Sequence, residues 1–342
     1  MKKLTKILSA LLVAMFACIA LCGCNVSKSD LNANANDFTK NWMSYLDDTT
    51  LVKDIAIPGS NDAGLSICGH FAKTQHFTAS QQLDFGVRYF EINVRNKNDQ
   101  LYAFYSSRTG EKVEDMLAGV LAFLKEHKTE TVILDFSRFN NQPQKQLVSL
   151  IKKYFVPNGS YTYIVRNTIP TTLDSDFINT LTISKAKGRV IVFMDGDGND
   201  YLDETFVFKR NDAQGSRLFT ALQSNYSKKL NNSSSKKYVA SLDSTLQVYA
   251  KSNEGFTVLQ GQLHDGVSLL SPAYYESKHA KNMSNYISDL ATSEYLANVN
   301  VITRNFIDCT KCCEIIALNQ YKGCIKTALT TQFEQNVYEF VS

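Results

Sequence analysis

Short β-branched runs alternate with longer stretches of helical spacing along most of this 342-residue chain, and nothing else in the sequence constrains its fold as strongly. Leu51–Ile57, Val87–Val94, Leu101–Tyr105, Thr131–Phe136, Arg189–Met194, Thr257–Leu259 and Val299–Phe306 read as strands, the first closed by a Pro58-Gly59 turn. Between them, Lys112–His127 carries Met116, Leu117, Val120, Leu121 and Leu124 at the spacing of one helix face, and Gln144–Phe155 and Met283–Leu296 behave alike. Strands separated by helices argue for a parallel sheet, and this many of them for an α/β barrel that closes on itself. The polar stretch at about 213–237 breaks the rhythm and reads as a surface insertion.

The N-terminus carries an address. Lys2, Lys3 and Lys6 precede the uncharged apolar run Ile7–Leu21, which reads as a signal peptide. Leu21-Cys22-Gly23-Cys24 resembles a bacterial lipobox, which implies cleavage before Cys24 and acylation of its thiol. The alternative is an ordinary secretory signal with Cys24 incidental. The expected organisation is a signal peptide over 1–23, a lipidated Cys24 and flexible tether over 24–38, and a barrel over 39–342. The expected location is the extracytoplasmic side of a bacterial membrane, held there by the lipid anchor. A formal charge of +3 gives no case for a nucleic-acid partner, and 44% hydrophobic content suits a globular core.

Of eight cysteines, Cys68, Cys309, Cys312, Cys313 and Cys324 remain once Cys18, Cys22 and Cys24 are set aside. Their spacing is a poor match to zinc, and an exported chain permits disulfides, so one or two bridges are expected. Asp195-Gly196-Asp197-Gly198-Asn199-Asp200 mimics the start of a calcium loop. Position six is Asp200 and position twelve Phe206, so it fails as an EF-hand and reads as a tight turn.

Several ordered blocks carry a family resemblance: Ile57-Pro58-Gly59-Ser60-Asn61-Asp62-Ala63-Gly64, then Thr74-Gln75, Gln82 to Ile92, Glu130 to Leu134, and Val299 to Ile307. In that order they look like the X domain of phosphatidylinositol-specific phospholipase C. The resemblance implies a single-domain, distorted TIM-type (β/α)8 barrel with its site at the carboxyl ends of the strands. It also implies cleavage of a phosphodiester by attack of the inositol 2-hydroxyl on phosphorus. That reaction needs a base, an acid and a cation that meets the charge building on phosphorus.

The chain departs from the family at those positions. Asn61 stands where the family has its general-base histidine, beside Asp62, and Asn93 stands where the metal-independent enzymes have a phosphate-binding arginine, unless Arg95 reaches in. Tyr105 or a neighbour falls at the acid's place, and Asn305 at that of the supporting aspartate. None of His70, His76, His127, His264 and His279 lies at a strand end that should carry a catalytic imidazole; His127 and His279 sit on helical segments, where exposure is the default. One acid or base contributes roughly 10²–10⁴ in rate, and a lost charge stabiliser costs on the order of 10²–10³. The resemblance therefore implies a catalytically degenerate member that binds a phosphoinositide, polyol phosphate or other surface ligand and needs no cofactor. The alternative is an active phosphodiesterase with a rearranged or calcium-assisted site, since a calcium-dependent branch uses carboxylates here and Asp62 and Glu91 offer two oxygen ligands for Ca²⁺.

Overall fold

The computed structural model describes residues 35–168, 174–195, 204–214, 217–225, 235–252, 255–263 and 270–341, with 211–214 and 217–220 as backbone alone. The expected signal peptide, Cys24, the tether as far as residue 34, the loop 196–200 and His264 lie outside the described residues. The elements run α1 (Asp37–Asn41), β1 (Ile57–Ser60), α2 (Ala79–Asp84), β2 (Tyr89–Lys97), β3 (Gln100–Tyr105), β4 (Arg108–Lys112), α3 (Val113–Glu126), β5 (Val132–Asn140) and α4 (Gln144–Phe155). Then come α5 (Asp174–Asn179), α6 (Ile183–Ala186), β6 (Val190–Met194), β7 (Val207–Lys209), β8 (Asn211–Gln214), β9 (Arg217–Thr220), β10 (Leu222–Ser224) and α7 (Ser235–Ser252). The last are β11 (Phe256–Gln260), α8 (Pro272–Leu290), β12 (Val301–Arg304), α9 (Cys309–Tyr321) and α10 (Thr330–Val341).

Eight strands pair in parallel in the order β10-β11-β12-β1-β2-β5-β6-β7. The ends of this sheet meet at Arg210, whose carbonyl accepts from the backbone N–H of Ala221 at 2.9 Å and of Leu222 at 3.2 Å. The α/β barrel expected from the alternation is therefore present, with a seam between β7 and β10. β3 and β4 form an antiparallel hairpin hung on β2, so Leu101–Tyr105 is a strand outside the barrel wall. Helices α3 and α4 bury the apolar faces that give them their spacing, Met116, Leu117, Val120 and Leu124 in one and Leu147, Val148 and Ile151 in the other.

Three sequence readings are corrected. Leu51–Ile57 is not a strand: Val52–Asp54 is a 3-10 turn, and the strand begins where the turn was expected. Two buried amides take the backbone groups that a ladder would have used. Asn300 donates to the Val52 and Ile55 carbonyls, and Asn319 bonds both the N–H and C=O of Ala56. Within the stretch read as an insertion, Leu222–Ser224 is a barrel strand; three residues without a β-branched run leave almost no periodicity to detect. Disulfides are absent among the described residues, where all five cysteines are free and buried. Cys309, Cys312 and Cys313 lie on α9, and burial raises each thiol's pKa.

The amino end of the barrel is closed by one ion pair. Arg88 precedes β2, Glu130 precedes β5, and their side chains meet at 2.9 Å with no exposure on either. Arg88 also donates to the carbonyls of Leu83, Val87 and Lys40, and Trp42 donates its indole N–H to the Gly86 carbonyl at 3.0 Å. Removing one partner of such a pair strands a buried charge. Glu130→Ala is expected to cost roughly 3–5 kcal/mol in urea unfolding, and a loss below about 1 kcal/mol would show that the pair does not hold the floor.

Candidate ligand site at the barrel mouth

Alternate residues of a strand face the same way, so register decides which side chains meet inside the barrel. Gly59 pairs with Thr303 on one side and Tyr89 on the other, and Glu91 pairs with Asp135. A side chain at Gly59 would meet Thr303 Cγ2 at 2.9 Å and the Tyr89 ring at 3.0 Å, so only glycine fits between them.

Beyond β1 the chain turns at Asn61 and Asp62, both buried, and Asp62 sits at φ 45, in the left-handed region that a residue with a side chain seldom adopts. Asn61 Nδ2 donates to Asn305 Oδ1 at 2.9 Å, so two expected site residues from opposite ends of the sequence are paired. Gln75 fixes the turn: its Nε2 donates to the carbonyls of Asn61 and Arg304, and its Oε1 accepts from the N–H of Ile307 at 3.0 Å.

A second chain of polar groups crosses the mouth. Asn93 Nδ2 donates to Asp62 Oδ1, and Ser137 Oγ lies 3.0 Å from Asn93 Oδ1 and 3.3 Å from Glu91 Oε1. Glu91 Oε2 accepts from Gln260 Nε2 at 3.0 Å. Thr303 Oγ1 lies 3.0 Å from Gln260 Oε1 and 2.9 Å from Gln262 Oε1. Deeper in the barrel, the Tyr89 hydroxyl donates to Asp135 Oδ2, and Arg210 Nε lies 3.5 Å from Asp135 Oδ1.

Burial pushes the Asp62 carboxyl up to about 7, with Arg138 opposing the rise and Glu91 adding to it. Burial also raises Asp135 to about 6 against the pull of Arg210. The mouth and the interior beneath it therefore each hold a carboxyl group that burial raises toward neutrality, beside amides that cannot exchange protons. Such a set can donate to and accept from hydroxyls, and among the described residues no imidazole takes part in it.

Asn61, Asp62, Glu91, Asn93 and Asn305 are thus gathered at the mouth as expected. Tyr105 ends β3 in the hairpin, half-buried and in register with Arg108, so it belongs to the appended ribbon. Arg95 does not reach in. It is spent on the Asn140 side chain and the Ser106 and Ser107 carbonyls, and lies over the Phe104 ring. His76 is exposed against Phe306, with ring centroids 4.5 Å apart. His279, expected on an exposed face, is fully buried and bonded to Ser235 and the Gly261 carbonyl.

Calcium does not fit. The Asp62 and Glu91 oxygens face N–H and O–H donors, Asn93 turns its amide nitrogen toward Asp62, and among the described residues no group of three or more His, Cys, Asp or Glu side chains could hold a metal ion. Sequence reasoning missed Arg138, Arg210, Gln260, Gln262 and Thr303. Arg210, Gln260, Gln262 and Thr303 lie at or just beyond the carboxyl ends of strands, and that position was the available signal; Arg138 lies within β5. A separate groove of about 610 Å³ lies outside the barrel between α8, α9 and α10.

The PI-PLC X family model matches residues 52–237. A 1-phosphatidylinositol phosphodiesterase of Staphylococcus aureus (strain Newman) is 24% identical over 208 residues, covering 57% of this chain and 61% of the relative. The enzyme of that name from Listeria monocytogenes is 29% identical over 151 residues, covering 40% of this chain and 46% of the relative. The chain thus spans less than two thirds of these curated relatives. The solved phosphatidylinositol-specific phospholipase C from Listeria monocytogenes superposes with a TM-score of 0.62 at 19% identity, covering 82% of this chain and 98% of that one; this likeness shows the fold alone.

Asp62 makes stability depend on pH. Its folded pKa of about 7 lies above the unfolded value, so its favourable contribution is complete below about pH 4 and is lost as pH rises toward the folded value, at roughly 1.4 kcal/mol per unit. Asp62→Asn keeps the acceptor for Asn93. It is expected to match wild type near pH 4 and to exceed it progressively up to pH 7 in chemical denaturation; a difference that does not change with pH would contradict the assignment.

Proposed function

The chain belongs to the PI-PLC X family, and from that membership we propose that it uses the family's barrel as a ligand-binding module and has lost the cleavage reaction. The observation that carries this reading is the Asn61–Asn305 hydrogen bond, at positions where the resemblance puts the histidine base and its supporting aspartate. An amide pair preserves a contact across the mouth and cannot take a proton from a hydroxyl. The position where the resemblance puts the phosphate-binding arginine is likewise uncharged, an asparagine whose amide donates to Asp62.

The ligand class is a polyol or its phosphate. Amides, hydroxyls and carboxyl groups from β2, β5, β11 and β12 converge within one hydrogen-bonded set, the chemistry that recognises adjacent hydroxyls. The phosphatidylinositol named for the curated relatives makes inositol the first candidate. The proposed setting is a membrane surface, with an exported chain anchored through Cys24. Ile67 and Phe71, 66% and 50% exposed on the loop after β1, support a lipid-facing rim.

A second reading, an active phosphodiesterase with a rearranged site, is favoured by one observation: the Asp62 carboxyl near 7 is matched to proton transfer at neutral pH. Calorimetric titration of the full chain with myo-inositol tests the binding reading. Saturable heat that disappears in Gln260→Ala is expected, and no heat at millimolar ligand would sink it.

A further inference from the structure

Two adjacent strands end at the mouth by the same device. β1 is followed by Asn61 and a left-handed Asp62, and β12 by Asn305 and a left-handed Phe306, at φ 45 and φ 47. Aspartate can support that conformation with its short polar side chain; phenylalanine has no such group, so the second turn must be held from outside. One clasp joins the two turns: the Phe306 N–H donates to the Thr74 carbonyl at 2.7 Å, and Thr74 Oγ1 donates to the Asp62 carbonyl at 2.9 Å.

The other hold comes from α9. Lys311 Nζ donates to the Phe306 carbonyl at 2.7 Å and the Asn305 carbonyl at 3.3 Å, and lies 2.9 Å from Glu276 Oε1 on α8. Those three acceptors match the three hydrogens of an ammonium. Asp308, at 3.9 Å, adds only charge. Burial would raise the Glu276 carboxyl, but Lys311 and Arg304 hold it below its ordinary value, so the anchor is ionised at neutral pH. The opposite end of α9 carries a counterpart: Lys322 Nζ donates to the carbonyls of Leu296, Ala297 and Val299, ahead of β12. Helix α9 thus grips the chain on both sides of one strand, and only the Lys311 grip lies at the mouth.

We propose that Lys311, anchored by Glu276, is a positioning residue of the mouth: it holds the chain after β12 in the left-handed turn that presents Asn305 to Asn61, and so sets the affinity of the mouth for its ligand. The affinity step rests on the ligand-binding reading above; the positioning step does not.

Exchange of the Asn61 side-chain amide hydrogens with water, followed by NMR of the full chain, reads the positioning step without any ligand. Calorimetric titration with myo-inositol reads the affinity step. In Lys311→Met the amide is expected to exchange at least about tenfold faster than in wild type, and myo-inositol to bind about tenfold more weakly, the scale of one hydrogen bond to a charged group. Lys311→Arg should recover part of both. Lys322→Met removes a lysine of equal commitment at the far end of α9, and should lower the urea midpoint while leaving the amide and the binding unchanged. Wild-type exchange and affinity in Lys311→Met would overturn the inference. Equal changes in both methionine variants would overturn it too, by showing a general loosening of α9. Should Lys311→Met fail to fold, Glu276→Gln reads the same signals: faster exchange supports the anchor, and wild-type exchange overturns it. If wild type does not bind myo-inositol, the ligand-binding reading falls and the affinity step with it, while the amide exchange still decides the positioning step.

Discussion

The buried pair of Arg88 and Glu130 is the constraint from which the rest of the barrel follows. Each residue stands just before a strand, so their contact fixes where β2 and β5 start relative to one another. Their register in turn sets Glu91 against Asp135 and, past a bulge in β5, Asn93 against Arg138. A buried pair is weak evidence for stability gained, because desolvation offsets the attraction, but it strongly penalises any arrangement that separates the partners. The carbonyls gathered around Arg88 and the Trp42 indole on Gly86 extend that penalty to the segment beneath the barrel.

At the other end of the same strands lies the polar set of the mouth. There Asn61 reaches Asn305, and Asn93 meets the Asp62 carboxyl. A buried polar network that is fully satisfied is rigid, and one that is partly satisfied is costly, so replacements in such a site must be mutually consistent. Here Asn61, Asn93 and Asn305 are consistent in kind, all amides, and the proposed loss of cleavage rests on that. The proposed result is a surface that holds hydroxyls, where burial raises the Asp62 and Asp135 carboxyls and an arginine opposes each rise.

The barrel was legible in the sequence because strand and helix periods differ and both repeat. β2, β5, β6, β11 and β12 were read close to their positions, while the short β7 and β10 were not, since three residues cannot show a period. Leu51–Ile57 misled because its apolar residues are buried by packing, with Asn300 and Asn319 serving its backbone. In the site, residues inside the ordered motifs were found, Asn61, Asp62, Glu91, Asn93 and Asn305 among them. Gln260 and Gln262 were missed, because their contacts depend on a cross-barrel approach that no local pattern encodes.

A barrel mouth that holds a phosphorylated polyol and no longer cleaves its diester should reveal both properties in one measurement. Phosphorus NMR of a short-chain, water-soluble phosphatidylinositol in the presence of the full chain reads them together. The expected spectrum is a diester resonance broadened or shifted by binding, with no growth of a cyclic inositol phosphate signal over hours at neutral pH. Growth of that signal in proportion to protein would contradict the account and establish the active reading carried by Asp62.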